Sequence, residues 1–185
     1  ALCARHIAVA NGAGCNAACV ADHAFALVLA ELRQIRNMDR ACRAGQWRVG
    51  MQPPAQAAGK RLGIFGMGAI GLGIAKRAQG FDMQVAYCNR KPRADAPFEY
   101  FAQLVDLARW ADVLVCAAPG GAATQHAVNA DVLQALGPKG VLVNIGRGSV
   151  VDTGALAQAL QDKTIAAAGL DVYESEPTPP QELIG

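Results

Sequence analysis

Charge, aromatic rings and long apolar runs are all scarce in this chain of 185 residues, and each shortage removes a class of function. Charged residues make up 17% and sum to a formal +2, which gives no broad positive field of the kind that draws nucleic acid, so no nucleic-acid partner is expected. The longest apolar stretch near the amino terminus, residues 24–30, lies between His23 and Glu31. It is far shorter than the roughly 20 residues that cross a bilayer, so no membrane span, signal peptide or membrane partner is expected. The six cysteines include no CxxC pair and mostly stand among apolar neighbours, which favours reduced buried thiols over disulfides or metal ligands and a cytoplasmic location.

What is plentiful is small and apolar. Hydrophobic residues reach 52% with 20 glycines and only 5% aromatics, a composition suited to helices packed closely on a sheet. The length fits one full domain and is short for two. Ala1 replaces an initiator Met and Gly185 follows a Pro-rich turn, so the expectation is a piece of a longer chain, with remnants of a second domain truncated at both ends.

Along the chain, residues 7–9 read as a strand end and Asn16 as the N-cap of a long helix running to about Gln46. That helix is apolar nearly all round at first, then carries one apolar stripe beside Arg33, Arg36 and Arg40. Residues 50–59, with Pro53-Pro54, form a crossing segment. Strands are expected at 60–65, 83–88, 113–117, 141–143 and 165–171, and helices at 69–79, 101–109, 130–136 capped by Asn129 and 153–161 capped by Asp152. Such alternation implies an α/β fold with a doubly wound parallel sheet.

Gly66-Met67-Gly68-Ala69-Ile70-Gly71 is a GxGxxG placed between an expected strand and an expected helix, the context that makes the pattern a dinucleotide fingerprint. The first glycine allows the tight turn, the second lets a pyrophosphate approach the backbone, and the third lets helix and strand pack closely. An ordinary glycine turn is the rival reading. About twenty residues on, an NAD site would place an acid for the ribose hydroxyl; here stand Asn89, Arg90 and Lys91, with Arg93 nearby. These donate to a 2′-phosphate and bring positive charge, so NADP (as NADPH) is favoured and NAD is less favoured, the rival being a solvated basic loop.

Arg147 and Glu176 each follow a short apolar run, in Asn144-Ile145-Gly146-Arg147-Gly148-Ser149-Val150-Val151-Asp152 and Gly169-Leu170-Asp171-Val172-Tyr173-Glu174-Ser175-Glu176-Pro177. If those runs are parallel strands, both side chains project from the carboxyl edge of the sheet, where open α/β folds bind ligands. A guanidinium there clamps a carboxylate and polarises a neighbouring carbonyl; a carboxylate there orients a histidine and favours its protonated form. Either residue taken alone also fits a surface salt bridge. Asp171 suits a cofactor or loop-orienting role, or a turn cap. His6, His23 and His126 read as structural, so no histidine of this chain fills the acid role.

Together these segments resemble the D-isomer-specific 2-hydroxyacid dehydrogenase family, through the Asn-x-x-Arg-Gly-x-x-Val-Asp and Gly-Leu-Asp-Val-x-x-x-Glu-Pro blocks and the helix beginning Cys19-Val20-Ala21-Asp22-His23. Asn89-Arg90-Lys91-Pro92 and Ala118-Pro119-Gly120-Gly121 look most like its NADPH-dependent glyoxylate and hydroxypyruvate reductase branch. The resemblance implies a Rossmann fold, with residues 1–16 ending a substrate domain, 17–50 a hinge helix at a homodimer surface, and 51–185 the dinucleotide-binding domain. It implies that Arg147 binds the carboxylate of a small 2-oxoacid and that Glu176 supports a histidine lying outside this chain. Cofactor contacts implied by it are Gly66, Gly68, Ala69, Ile70 and Gly71; Asn89, Arg90 and Lys91; and Ile145, Gly146, Arg147 and Asp171. A nucleotide-sensing, corepressor-like relative of such enzymes is the alternative reading.

Overall fold

The computed structural model describes residues 12, 14–47 and 53–184. The strand end expected at 7–9, His6 and part of the crossing segment lie outside the described residues.

Six short strands, β1 (Arg61–Phe65), β2 (Gln84–Cys88), β3 (Glu99–Phe101), β4 (Val113–Cys116), β5 (Val141–Asn144) and β6 (Ala167–Leu170), form one sheet in the order β3-β2-β1-β4-β5-β6. Every pairing is parallel. The chain therefore winds outward from β1 in one direction and from β4 in the other, which opens a crevice between the carboxyl ends of those two strands. All four positions of β4 and of β5 are buried, as expected of strands covered on both faces.

Two apolar clusters cover the two faces. On one, Ala21, Phe25 and Val28 of α1 (Ala17–Leu32) and Ile74 and Ala75 of α3 (Ala69–Gly80) pack on Leu62, Ile64, Val115 and Val143. On the other, Leu107 of α4 (Leu104–Trp110), Leu133 of α5 (Ala130–Leu136) and Leu156 of α6 (Thr153–Gln161) pack on Leu114 and Leu142. Asn129 and Asp152 cap α5 and α6 as expected, their side-chain oxygens accepting from the backbone N–H of Val132 and Ala155.

Three expectations need correction. The long helix is two: α1 stops at Leu32, Gln34 takes a left-handed conformation at φ 51°, and α2 runs over Ile35–Arg43 with none of its residues buried. The break sits where buried α1 gives way to a segment with no core to pack on, and no glycine or proline marks it. Asn16 precedes α1 but makes no side-chain capping hydrogen bond. Phe101 ends strand β3 instead of starting a helix, because residues 99–101 pair with β2 at the sheet edge.

Candidate active site and dinucleotide cleft

The turn after β1 is built by close approach. Gly66 has φ +105°, and a Cβ there would stand 2.5 Å from the backbone nitrogen of Ala118; a Cβ on Gly71 would stand 2.4 Å from the carbonyl oxygen of Gly66. A Cβ on Gly68 would meet nothing within 4 Å. Gly66 and Gly71 thus serve packing, while Gly68 leaves open space at the start of α3, where backbone N–H groups and the helix dipole favour an anion. Ala69 and Ile70 form the first turn of that helix.

A cleft of about 950 Å³ opens over this turn, lined by Gly66, Met67, Gly68, Asn89, Arg90, Lys91, Arg93 and the segment 117–124 that follows β4. The structure therefore brings the glycine loop and the basic segment together, at the crevice that the strand order creates. Asn89 does more than offer a donor: its Oδ1 accepts from the Met67 N–H at 2.8 Å and ties the end of β2 to the glycine loop. Arg93 is not a free cation, since its guanidinium donates to Asp95 and, through Nη1, to the Met67 carbonyl at 2.9 Å. The hydrogen bond to Asp95 raises the Arg93 pKa and lowers that of Asp95. Arg90 and Lys91 are exposed and form no ion pair among the described residues.

Arg147 stands on the neighbouring loop, after β5. Asn144, the one buried polar side chain among the described residues, brackets that loop by accepting from the Gly146 N–H at 3.1 Å and donating to the Arg147 carbonyl at 3.0 Å. Ile145 is buried, and a Cβ on Gly146 would stand 2.6 Å from the Ala118 carbonyl oxygen. The Arg147 side chain lies along Gly120 of the cleft wall, where a Cβ would be 2.9 Å from Arg147 Cγ. Its Nη1 donates to the Gly146 carbonyl at 2.7 Å, and the side chain is exposed beside the cleft.

Glu176 is placed differently. It lines a second groove, of about 810 Å³, with Glu31, Tyr173 and residues 177–180, and its Oε1 accepts from the Tyr173 N–H at 2.7 Å. The two motif blocks still touch through the backbone: a Cβ on Gly148 would stand 2.0 Å from the Tyr173 carbonyl carbon. Asp171 is held by α1, its carboxylate 3.1 Å from His23 Nε2.

A histidine pair missed by sequence reasoning closes this edge. His126 Nε2 lies 2.6 Å from Glu174 Oε1, and Thr153 donates to Glu174 Oε2 at 3.2 Å. The hydrogen bond to Glu174 raises the His126 pKa, and its counterpart lowers that of Glu174. The His126 N–H also donates to the Ser149 carbonyl at 2.8 Å, so the loops after β4, β5 and β6 meet at one residue. His126 and Glu174 are 48 positions apart, and no local spacing announces the pair. Asn144 was more legible, as a polar residue closing the apolar run Val-Leu-Val.

Among the described residues no group of three or more His, Cys, Asp and Glu is placed to hold a metal, and no helix is long and apolar enough to cross a membrane.

Comparison with known proteins places this geometry in a context. The model of the D-isomer specific 2-hydroxyacid dehydrogenase NAD-binding domain matches residues 25–185. A hydroxyphenylpyruvate reductase of Plectranthus scutellarioides is 44% identical over 167 residues, 90% of this chain and 53% of that protein. Arabidopsis thaliana glyoxylate/hydroxypyruvate reductase A is 45% identical over the same coverage. The chain thus spans about half the length of the curated relatives it matches. Among solved structures, an NADPH-dependent glyoxylate/hydroxypyruvate reductase of Sinorhizobium meliloti, in complex with NADP and malonate, superposes with a TM-score of 0.87 at 47% identity, covering 98% of this chain and 58% of that one.

Proposed function

Because the chain belongs to the D-isomer-specific 2-hydroxyacid dehydrogenase family, we propose that it is the dinucleotide-binding part of an NADPH-dependent reductase of small 2-oxoacids, of glyoxylate or hydroxypyruvate type. The observation that carries the cofactor choice is the pair Arg90 and Lys91, lining the glycine cleft where an NAD site would present an acid. The space over Gly68 and the N–H groups opening α3 fit a pyrophosphate; Arg90, Lys91 and the amide nitrogen of Asn89 fit a 2′-phosphate. Ile145, Gly146 and Asp171 stand on the strand-end loops that would face the nicotinamide half. When bound, NADPH supplies the hydride; the chain's own work is orientation and charge stabilisation.

In this reading Arg147 holds the substrate carboxylate in parallel hydrogen bonds and polarises the adjacent carbonyl, while Glu176 orients and favours the protonated form of an imidazole from outside this chain. The separate placement of Arg147 and Glu176 supports assigning the complete site to the longer protein, with residues 1–16 ending its substrate domain, 17–50 the hinge and 51–185 this domain. A homodimer through the hinge region is supported by α2, none of whose residues is buried among the described residues, and by the exposed Ile35 that begins it and Trp47 that follows it. Of the described cysteines Cys88 and Cys116 are buried as expected, whereas Cys15, Cys19 and Cys42 on or beside the exposed faces of α1 and α2 are not; free thiols at those exposed positions fit a reducing cytoplasm.

The test is a coupled measurement on the full-length protein: NADPH oxidation in the presence of glyoxylate or hydroxypyruvate, with NADH in parallel. Turnover with a preference for NADPH is expected. Nucleotide-driven change of oligomeric state without turnover of any small 2-oxoacid would replace this reading with the nucleotide sensor.

A further inference from the structure

We propose that Tyr100 and the Arg93–Asp95 pair are specificity-determining positioning residues, a latch that locks the basic segment 89–93 onto the glycine loop and presents Arg90 and Lys91 ready-formed to a ribose 2′-phosphate. The inference rests on the NADPH reading above and goes beyond it, because it removes Arg93 from the phosphate ligands and assigns the discrimination partly to groups that never touch the cofactor.

Both backbone polar groups of Met67, between the first two glycines, are engaged by this segment: the N–H by Asn89 Oδ1 at 2.8 Å and the carbonyl by Arg93 Nη1 at 2.9 Å. Each end of the segment is then anchored to a tyrosine. The Tyr100 hydroxyl donates to the Asn89 carbonyl at 3.2 Å, and the Arg93 N–H donates to the Tyr87 hydroxyl at 2.8 Å. The two rings lie against each other, centroids 5.5 Å apart, on neighbouring strands β2 and β3. Strand β3 thereby gains a purpose beyond widening the sheet, since it carries Tyr100 to the Asn89 carbonyl.

Arg93 lines the cleft with all three of its guanidinium nitrogens engaged. Nε donates to Asp95 Oδ1 at 2.8 Å, Nη2 pairs with Asp95 Oδ2, and Nη1 holds Met67, so turning toward a phosphate would break all three. Arg90 and Lys91, in contrast, are exposed cations in sequence whose mutual repulsion favours a spread, mobile loop. Ordering such a loop at the moment of binding weakens affinity; anchoring it beforehand removes that cost. The part of the affinity at stake is that due to the 2′-phosphate, because the pyrophosphate meets the glycine loop and α3.

The experiment is calorimetric titration of the full-length protein with 2′,5′-ADP and with 5′-AMP, whose affinity ratio isolates the 2′-phosphate. Arg90→Ala is expected to lose at least about tenfold of that ratio as a direct ligand. Tyr100→Phe keeps the ring, removes one hydrogen bond, and is expected to lose about three- to tenfold of the ratio while 5′-AMP binding holds. Asp95→Asn gives the decisive sign. A latch loosened at Asp95 binds 2′,5′-ADP more weakly, whereas a phosphate-binding Arg93 released from its counter-charge binds it more tightly. Tighter binding by Asp95→Asn, or an unchanged ratio in both variants, overturns the latch and leaves the NADPH reading standing. A wild-type protein that does not distinguish the two ligands overturns both.

Discussion

The carboxyl edge of the sheet has two halves, and they are finished to different degrees. Around β1 and β2, Asn89 and Arg93 tie the glycine loop to the segment after β2, while Gly66 packs on the Ala117–Ala118 backbone that follows β4. Around β5 and β6, Arg147 stands exposed beside the glycine cleft and Glu176 lines a second groove, their loops joined by the backbone approach of Gly148 to Tyr173 and by the clasp of His126 with Glu174 and Ser149. The glycine cleft is built by β1, α3 and β2 and completed by the segment after β4, whereas Arg147 and Glu176 stand on loops that follow the two strands beyond it.

The comparison breaks most sharply at the glycines. Gly66→Ala forces a Cβ onto the Ala118 backbone at a positive φ and is expected to cost about 2–4 kcal/mol of stability, along with nucleotide binding. Gly68→Ala points its methyl into open space, so the protein is expected to melt like the wild type and yet lose NADPH affinity. Thermal melts with NADPH fluorescence titration separate the two; similar melting of both variants would remove the division between packing and ligand glycines.

Arg147→Lys in the full-length protein probes the other half. Loss of the planar fork is expected to lower kcat/KM for the oxoacid by about 10²–10³ and leave NADPH affinity within severalfold. An equal fall in NADPH affinity would move Arg147 into the nucleotide half.

The smallest effect is set by pH at the clasp that joins the loops. The His126 pKa is raised above its ordinary 6.5, so its contribution is complete below that value and fades as pH rises through the raised one. The Glu174 pKa is lowered below 4.5, so its contribution is complete above that value and fades as pH falls through the lowered one. The difference in Tm between wild type and His126→Gln should therefore be greatest between pH 4.5 and 6.5 and shrink on either side. A difference flat across pH would show that the pair carries no charge-dependent hold.

Most of the fold was legible because its signals are local. The bounds of α5 and α6 follow from Asn129 and Asp152, and the glycine turn from its own spacing. The missed elements lack such marks: β3 is three residues long and exists by edge pairing, and the break before α2 follows from loss of a core, not from a helix breaker. The candidate site divides the same way. Asn89, Arg90, Lys91 and Arg93 all line the glycine cleft as their position after β2 implies, but Arg93 is also held by Met67 and Asp95. Arg147 reaches the cleft wall; Glu176, one strand farther out, lines the adjoining groove. Sequence position places a residue at a sheet edge, while the side of that edge it faces is decided by tertiary contacts.

A crystal structure of the full-length protein with NADP tests the central claim most directly. The pyrophosphate is expected over Gly68 at the start of α3 and the 2′-phosphate within hydrogen-bond reach of the Arg90 guanidinium. A nucleotide bound away from residues 66–71, or a 2′-phosphate directed away from residues 89–91, would contradict it.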